Sequence, residues 1–107
     1  MALHHVEPGE IARLAPLFEL KADVRTHALA KTERFEAIRL VVPAAAMIAD
    51  HSVGGPITLH CLEGKVRLST NDGVVELAAD DWVYLSPGER HSLQGVEDSS
   101  LLLTIIF

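Results

Sequence analysis

The chain has 107 residues, of which 49% are hydrophobic and 22% charged, with a formal net charge of −6. This length fits a single domain over residues 1–107, with enough apolar side chains for a core that needs no disulfide or metal. The acidic balance, without any Lys/Arg run, excludes the electrostatic footprint of a nucleic-acid binder or a binder of anionic membranes. The N-terminus lacks the features of a signal peptide, and no apolar run is long enough to cross a bilayer, so we expect a cytoplasmic protein.

Residues 1–30 are predicted to form an arm and flanking strands. A Pro8-Gly9 turn signal precedes the run EIARLAPLFELKADV, in which Pro16 would break a helix. We therefore expect an irregular or edge-strand segment there. The following run, THALAKTERFEAIRLVV, predicts two strands with a break near Lys31-Thr32, and Pro43 should end the second strand.

The chain after Pro43 alternates short apolar runs with turn residues. Asn71-Asp72-Gly73 is a strong hairpin signal, because these residues tolerate the positive φ that such turns need. Strands are predicted over residues 57–62, 65–69, 74–77, 82–85, 91–96 and 100–107. About nine or ten short strands, without a convincing helix, indicate an all-β sandwich or closed barrel.

Two segments with a histidine each, within residues 45–95, resemble the paired motifs of the cupin superfamily, which are small antiparallel jelly-roll barrels. The first motif reads Gly, five residues, His, one residue, His, three or four residues, Glu, six residues, Gly. Its positions fall on Ala45, His51, Val53, Ile57 and Gly64. The spacing holds without a gap, but only His51 and Gly64 match by type.

The second motif reads Gly, five residues, Pro, one residue, Gly, two residues, His, three residues, Asn. Its positions fall on Asp80, Ser86, Gly88, His91 and Gly95, with a proline one place late at Pro87. The 15 residues between Gly64 and Asp80 equal the short spacing between motifs in small cupins. The resemblance implies a single-domain, RmlC-like jelly-roll barrel.

The resemblance also implies a metal site, which this sequence carries incompletely. Metal-binding cupins hold the ion with three His and one Glu, and two of those positions are apolar here, at Val53 and Ile57. His51 and His91 remain as metal ligands, with His60 as the possible third, although strand alternation predicts that His60 faces outward. Two imidazoles suit a weakly held divalent ion (Zn, Fe, Mn or Ni) and leave a catalytic centre doubtful.

We interpret the chain as a cupin that binds a small molecule. A mostly apolar pocket around His51 and His91 is expected, with the lining residues Val53, Ile57, Leu59 and Cys61. Two alternatives stay open: a metal-dependent enzyme of the dioxygenase or isomerase type, and a metal-free sensing or interaction module.

Further features bear on partners and on the surface. The last strand is apolar on both faces, which predicts a homodimer. Trp82 and Tyr84 fit a core, an interface or the rim of the pocket. Arg39, within an apolar strand, is expected either to pair with a surface acid or, if it points inward, to bind an anionic ligand. His4, His5 and His27 are expected at the surface.

Overall fold

Nine antiparallel strands make up the regular structure of the described residues. The computed structural model describes residues 5–17, 26–51 and 54–107, and of residues 49–51 it describes the backbone only. The strands are β1 (His27–Lys31), β2 (Phe35–Val42), β3 (Met47–His51), β4 (Ile57–Glu63), β5 (Lys65–Thr70), β6 (Gly73–Ala78), β7 (Trp82–Leu85), β8 (His91–Gly95) and β9 (Ser99–Ile106).

The strands form two sheets. Sheet A has the order β1-β2-β9-β4-β7, and sheet B has the order β3-β8-β5-β6. Strand β9 is central in sheet A, because it pairs with β2 on one side and with β4 on the other. Neighbouring strands in a sheet are often distant in sequence, as in a jelly roll.

The core lies between the inner faces of the two sheets. Along β4, buried and half-buried positions alternate, so Ile57, Leu59 and Cys61 face inward while Thr58 and His60 face outward. This is the period of two that a half-buried strand requires. The buried apolar cluster contains Leu40, Val42, Ile57, Leu59, Cys61, Val66, Leu68, Leu77, Leu85, Leu93, Leu101 and Leu103.

Several turns of the described residues depend on backbone conformations with positive φ. Gly64 (φ 84°) connects β4 to β5, and Gly88 (φ 76°) lies before β8. Two residues other than glycine share this conformation, Ala45 (φ 69°) and Asp80 (φ 74°). A side chain in this region crowds the following carbonyl oxygen, and Asp tolerates the strain better than Ala.

The strand predictions are confirmed to within a residue or two. The break near Lys31-Thr32 falls at the end of β1, β2 ends at Val42 directly before Pro43, and β7 covers residues 82–85 as predicted. The hairpin turn at Asn71-Asp72-Gly73 joins β5 to β6, and the Asp72 amide donates to Thr70 Oγ1 at 3.1 Å. These predictions succeeded because turn chemistry is local.

The N-terminal segment, residues 5–17, has no strand in the part of the chain that the structure describes, as expected from Pro16. The Val6 amide donates to the Leu29 carbonyl at 2.8 Å, and the Leu17 amide donates to Glu63 Oε1 at 2.5 Å. Residues 18–25, where the rest of the predicted edge segment falls, lie outside the described residues. No helix in the described ranges has the length and hydropathy that crossing a bilayer requires.

We expect Ala45→Gly to raise the free energy of unfolding by about 0.5–1 kcal/mol, measured by urea denaturation. Relief of left-handed strain is worth roughly 1–2 kcal/mol, and the flexibility of glycine in the unfolded chain offsets part of it. The neighbouring Ala46 has no positive φ, so Ala46→Gly should instead lower stability. Equal losses in both variants would contradict the strain assigned to Ala45.

Candidate metal and ligand site

The two motif histidines lie directly opposite each other in sheet B. Strand β3 pairs antiparallel with β8, and His51 and His91 are cross-strand partners. Directly opposed residues of an antiparallel ladder have Cα atoms about 4.5–5.5 Å apart. The structure therefore brings together the backbone positions of the two residues that the sequence singles out first.

The His91 side chain is buried, at 3% exposure, on the inner face of sheet B. Its Nδ1 lies 3.2 Å from the Glu89 carbonyl oxygen. A carbonyl oxygen only accepts, so this contact is a hydrogen bond in the tautomer that carries its proton on Nδ1, and that tautomer has its lone pair on Nε2. A backbone carbonyl that fixes the tautomer in this way is the usual outer support of a metal-binding imidazole.

Ile57 is the predicted lining residue that belongs to the same end of the barrel as His91. The turn at Gly64 joins β4 of sheet A to β5 of sheet B, so the start of β4 and the end of β5 both lie far from this turn. His91 pairs with Thr70 at that far end of β5. Ile57 begins β4 at that far end and is 2% exposed on the inner face. The position at which the first motif has Glu is therefore directed inward, but it carries an apolar side chain.

Leu59 and Cys61 are farther from the histidine pair. Both are part of the closed core, and Cys61 lies four residues along β4 from Ile57, about 13 Å at the rise of a strand. Its backbone pairs with Asp80 and Asp81 near the other end of the barrel. Burial, with a smaller contribution from the Asp81 carboxylate, raises the pKa of the Cys61 thiol, so the thiol stays protonated at neutral pH. Val53 and the His51 side chain lie outside the described residues.

His60 faces away from the histidine pair, as strand alternation predicts. Its cross-strand neighbours are Leu102 on β9 and Trp82 on β7, on the outer face of sheet A. Trp82 and Tyr84 are more than half exposed on this face, with ring centroids 6.0 Å apart, so they are not core residues. The described residues contain no group of three His, Cys, Asp or Glu side chains placed to hold a metal ion.

Arg39 is the functional candidate whose surroundings the sequence did not reveal. It is directed outward from sheet A, yet it is only 3% exposed. Its Nη2 donates to the Ala15 carbonyl at 2.5 Å, so the N-terminal segment covers it. No carboxylate among the described residues forms the predicted surface ion pair with it. The only signal in the sequence was a charge between the apolar residues Ile38 and Leu40.

Backbone conformation supports the alignment of the motifs independently of residue type. Both motifs have Gly at positions that fall here on Ala45, Gly64, Asp80 and Gly88, and all four positions have positive φ. Glycine is the residue that adopts this conformation without strain. The chain thus keeps the turns of both motifs even where it has lost their glycines, which supports the positions assigned to His51 and His91.

Comparisons with known proteins agree with this geometry. No family model and no curated protein matches the chain. Among solved structures, a cupin superfamily protein from Desulfitobacterium hafniense is 17% identical with a TM-score of 0.78, over 92% of this chain and 94% of that one. A conserved protein of unknown function from Streptococcus pyogenes is 17% identical with a TM-score of 0.78, over 99% of this chain and 96% of that one.

A likeness to a manganese protein is more partial. Oxalate decarboxylase from Bacillus subtilis, a protein with Mn(II) centres, is 18% identical with a TM-score of 0.65, over 70% of this chain and 22% of that one. Identities this low establish a fold and leave activity open. The chain therefore has the cupin fold, and the predicted RmlC-like jelly roll of antiparallel strands is confirmed.

Proposed function

We propose that this cupin binds a small molecule, together with a weakly held divalent metal ion, at the end of the barrel where His51 and His91 are paired. The observation that carries the proposal is the buried His91 ring, whose Nδ1 is tied to the Glu89 carbonyl oxygen. In the tautomer that this contact favours, the lone pair lies on Nε2, across the ring from the nitrogen that faces Glu89. Zn, Fe, Mn and Ni all accept imidazole nitrogen.

The ion would be weakly held because the protein supplies few ligands. Where the first motif has Glu, Ile57 presents an apolar side chain that cannot ligate. The remaining coordination positions would fall to water or to oxygen atoms of the small molecule. For this reason we propose binding as the function, in preference to a dioxygenase or isomerase, for which a non-haem iron site needs two His and a carboxylate.

The buried free thiol of Cys61 fits the reducing cytoplasm proposed for the protein.

We expect His91→Gln and His51→Gln each to lower the affinity for Ni²⁺ or Mn²⁺ at least tenfold. Each variant removes one of two imidazole ligands while keeping a polar side chain of similar size. The measurement is isothermal titration calorimetry on protein freed of metal by chelator. His60→Gln is the matched control, because His60 lies on the outer face of sheet A, and it should leave the affinity unchanged.

The same titration has a gain-of-affinity arm. Ile57→Glu supplies a carboxylate at the motif position, so it should raise metal affinity and lower the stability of the metal-free protein, because the new charge is buried. Retention of full affinity in the His51, His91 double variant would place metal binding elsewhere. No metal binding by the wild type would favour the metal-free module.

We further propose a homodimer formed through the outer face of sheet A. Trp82 and Tyr84 are 58% and 64% exposed there, on the edge strand β7. The same face also carries half-buried Leu102 and exposed Phe35 and Ile106. Interfaces are enriched in exposed aromatic and aliphatic side chains of this kind.

Light scattering at micromolar concentration should give the wild type twice its chain mass of 11.6 kDa. Trp82→Glu should give the monomer mass, because it places a charge in the aromatic part of the patch. Val74→Glu is the control, since Val74 is 61% exposed but lies on sheet B, and it should remain a dimer. A monomeric wild type would remove this proposal.

A further inference from the structure

Arg39 is a buried cation that has no partner of opposite charge among the described residues. Its guanidinium is charged at every physiological pH and is 3% exposed. Burying a charge without compensation costs several kcal/mol, so buried arginines are ordinarily paired with carboxylates. Among the described residues, no carboxylate oxygen lies within ion-pair distance of Arg39, whereas half-exposed Arg67 does form such a pair with Glu76.

The positions around Arg39 on the outer face of sheet A contain no acid. Its direct cross-strand neighbours are His27 on β1 and Leu102 on β9. The flanking positions on the same face are Ala37, Val41, Ser100 and Thr104. The nearest carboxylate in this register is Glu63, opposite Ser100, and its Oε1 accepts the amide of Leu17. The positions next to Arg39 in the register therefore carry no acid, and the nearest carboxylate, that of Glu63, lies one strand beyond Ser100.

The hydrogen bonds of Arg39 leave one of its donors without an acceptor. Nη2 donates to the Ala15 carbonyl at 2.5 Å and to Ser100 Oγ at 3.4 Å, and both acceptors are uncharged. Nε is buried and has no hydrogen-bond partner in the part of the chain that the structure describes. Leaving such a donor unsatisfied destabilises the folded state, in addition to the cost of the unpaired charge.

We propose that Arg39 forms a binding site for a small monovalent anion, either chloride or a carboxylate of the size of formate, between sheet A and the N-terminal segment. The anion accepts a hydrogen bond from Nε and neutralises the guanidinium. Its size is limited because the Ala15 carbonyl and the Ser100 hydroxyl, which is fully buried, already occupy Nη2. This site is on the outer face of sheet A, so it is independent of the histidine pair inside the barrel.

Thermal unfolding at fixed ionic strength tests the site, with sodium gluconate replaced stepwise by sodium chloride or sodium formate. Gluconate is the reference anion, because it is much larger than chloride or formate. The wild type should gain about 2–5 °C in melting temperature, and the gain should saturate, because the anion binds the folded state only. Arg39→Met should show no saturable gain. Arg67→Met removes the same charge from a half-exposed position and should behave like the wild type.

The two anions are separated by competition. Saturation by both, with mutual displacement, identifies a shared site, and saturation by chloride alone identifies a halide site. If Arg39→Met does not fold, the linewidth of the ³⁵Cl NMR signal is measured with the wild type instead. The site should broaden the chloride signal, and added formate should remove this excess broadening. A linear anion dependence common to the wild type and Arg67→Met, or no excess broadening, would overturn the proposal.

Discussion

The antiparallel ladder between β4 and β9 is the constraint on which the rest of the molecule depends. Its register pairs Leu59 with Leu103 inside the barrel and His60 with Leu102 outside. Because strand side chains alternate with a period of two, a slip by one residue would move His60 into the core and Leu59 to the surface. The buried leucines on both strands make that slip costly, so the register fixes which side chains can take part in a site inside the barrel.

The same register separates the chemistry of this chain into two places. Inside the barrel, buried His91 lies at one end and buried Ser99 near the other, and the apolar side chains of both sheets fill the space between them. Outside, the N-terminal segment contacts sheet A through the hydrogen bond from Arg39 on β2 and the hydrogen bond to Glu63 at the end of β4. Strand β7 carries the exposed aromatic side chains Trp82 and Tyr84. A ligand inside the barrel would therefore not compete with an anion at Arg39 or with a second subunit, both of which belong to the outer face of sheet A.

Much of the fold could be predicted from sequence, because it depends on local chemistry. Turn residues located the strand ends, and the spacing of the two motifs located the paired histidines. Ala45 and Asp80 show how far this goes: neither is a glycine, yet both keep the left-handed backbone of a motif glycine. At these two positions the spacing of the motif predicts the backbone conformation, although the residue type differs from the motif.

Other features could not be predicted, because they depend on contacts between distant parts of the chain. Cys61 and Ile57 face the same side of β4, so strand alternation alone predicts that both line one pocket. Only the path of β4 and β5 through the Gly64 turn shows that the two residues lie toward opposite ends of the barrel. The burial of Arg39 depends on a segment 24 residues away in sequence. An irregular segment has no periodicity from which its docking position could be read.

The central claim, that the metal binds at the His91 end of the barrel, is tested most directly by paramagnetic broadening. Mn²⁺ added below stoichiometry to ¹⁵N-labelled protein should broaden the amide signals of His91, Ser92 and Thr70, which lie together at that end. The single tryptophan, Trp82, is on the outer face of sheet A beside His60, and its indole signal should stay sharp. Broadening of the indole signal before the His91 amide would contradict the account and place the metal on the outer surface.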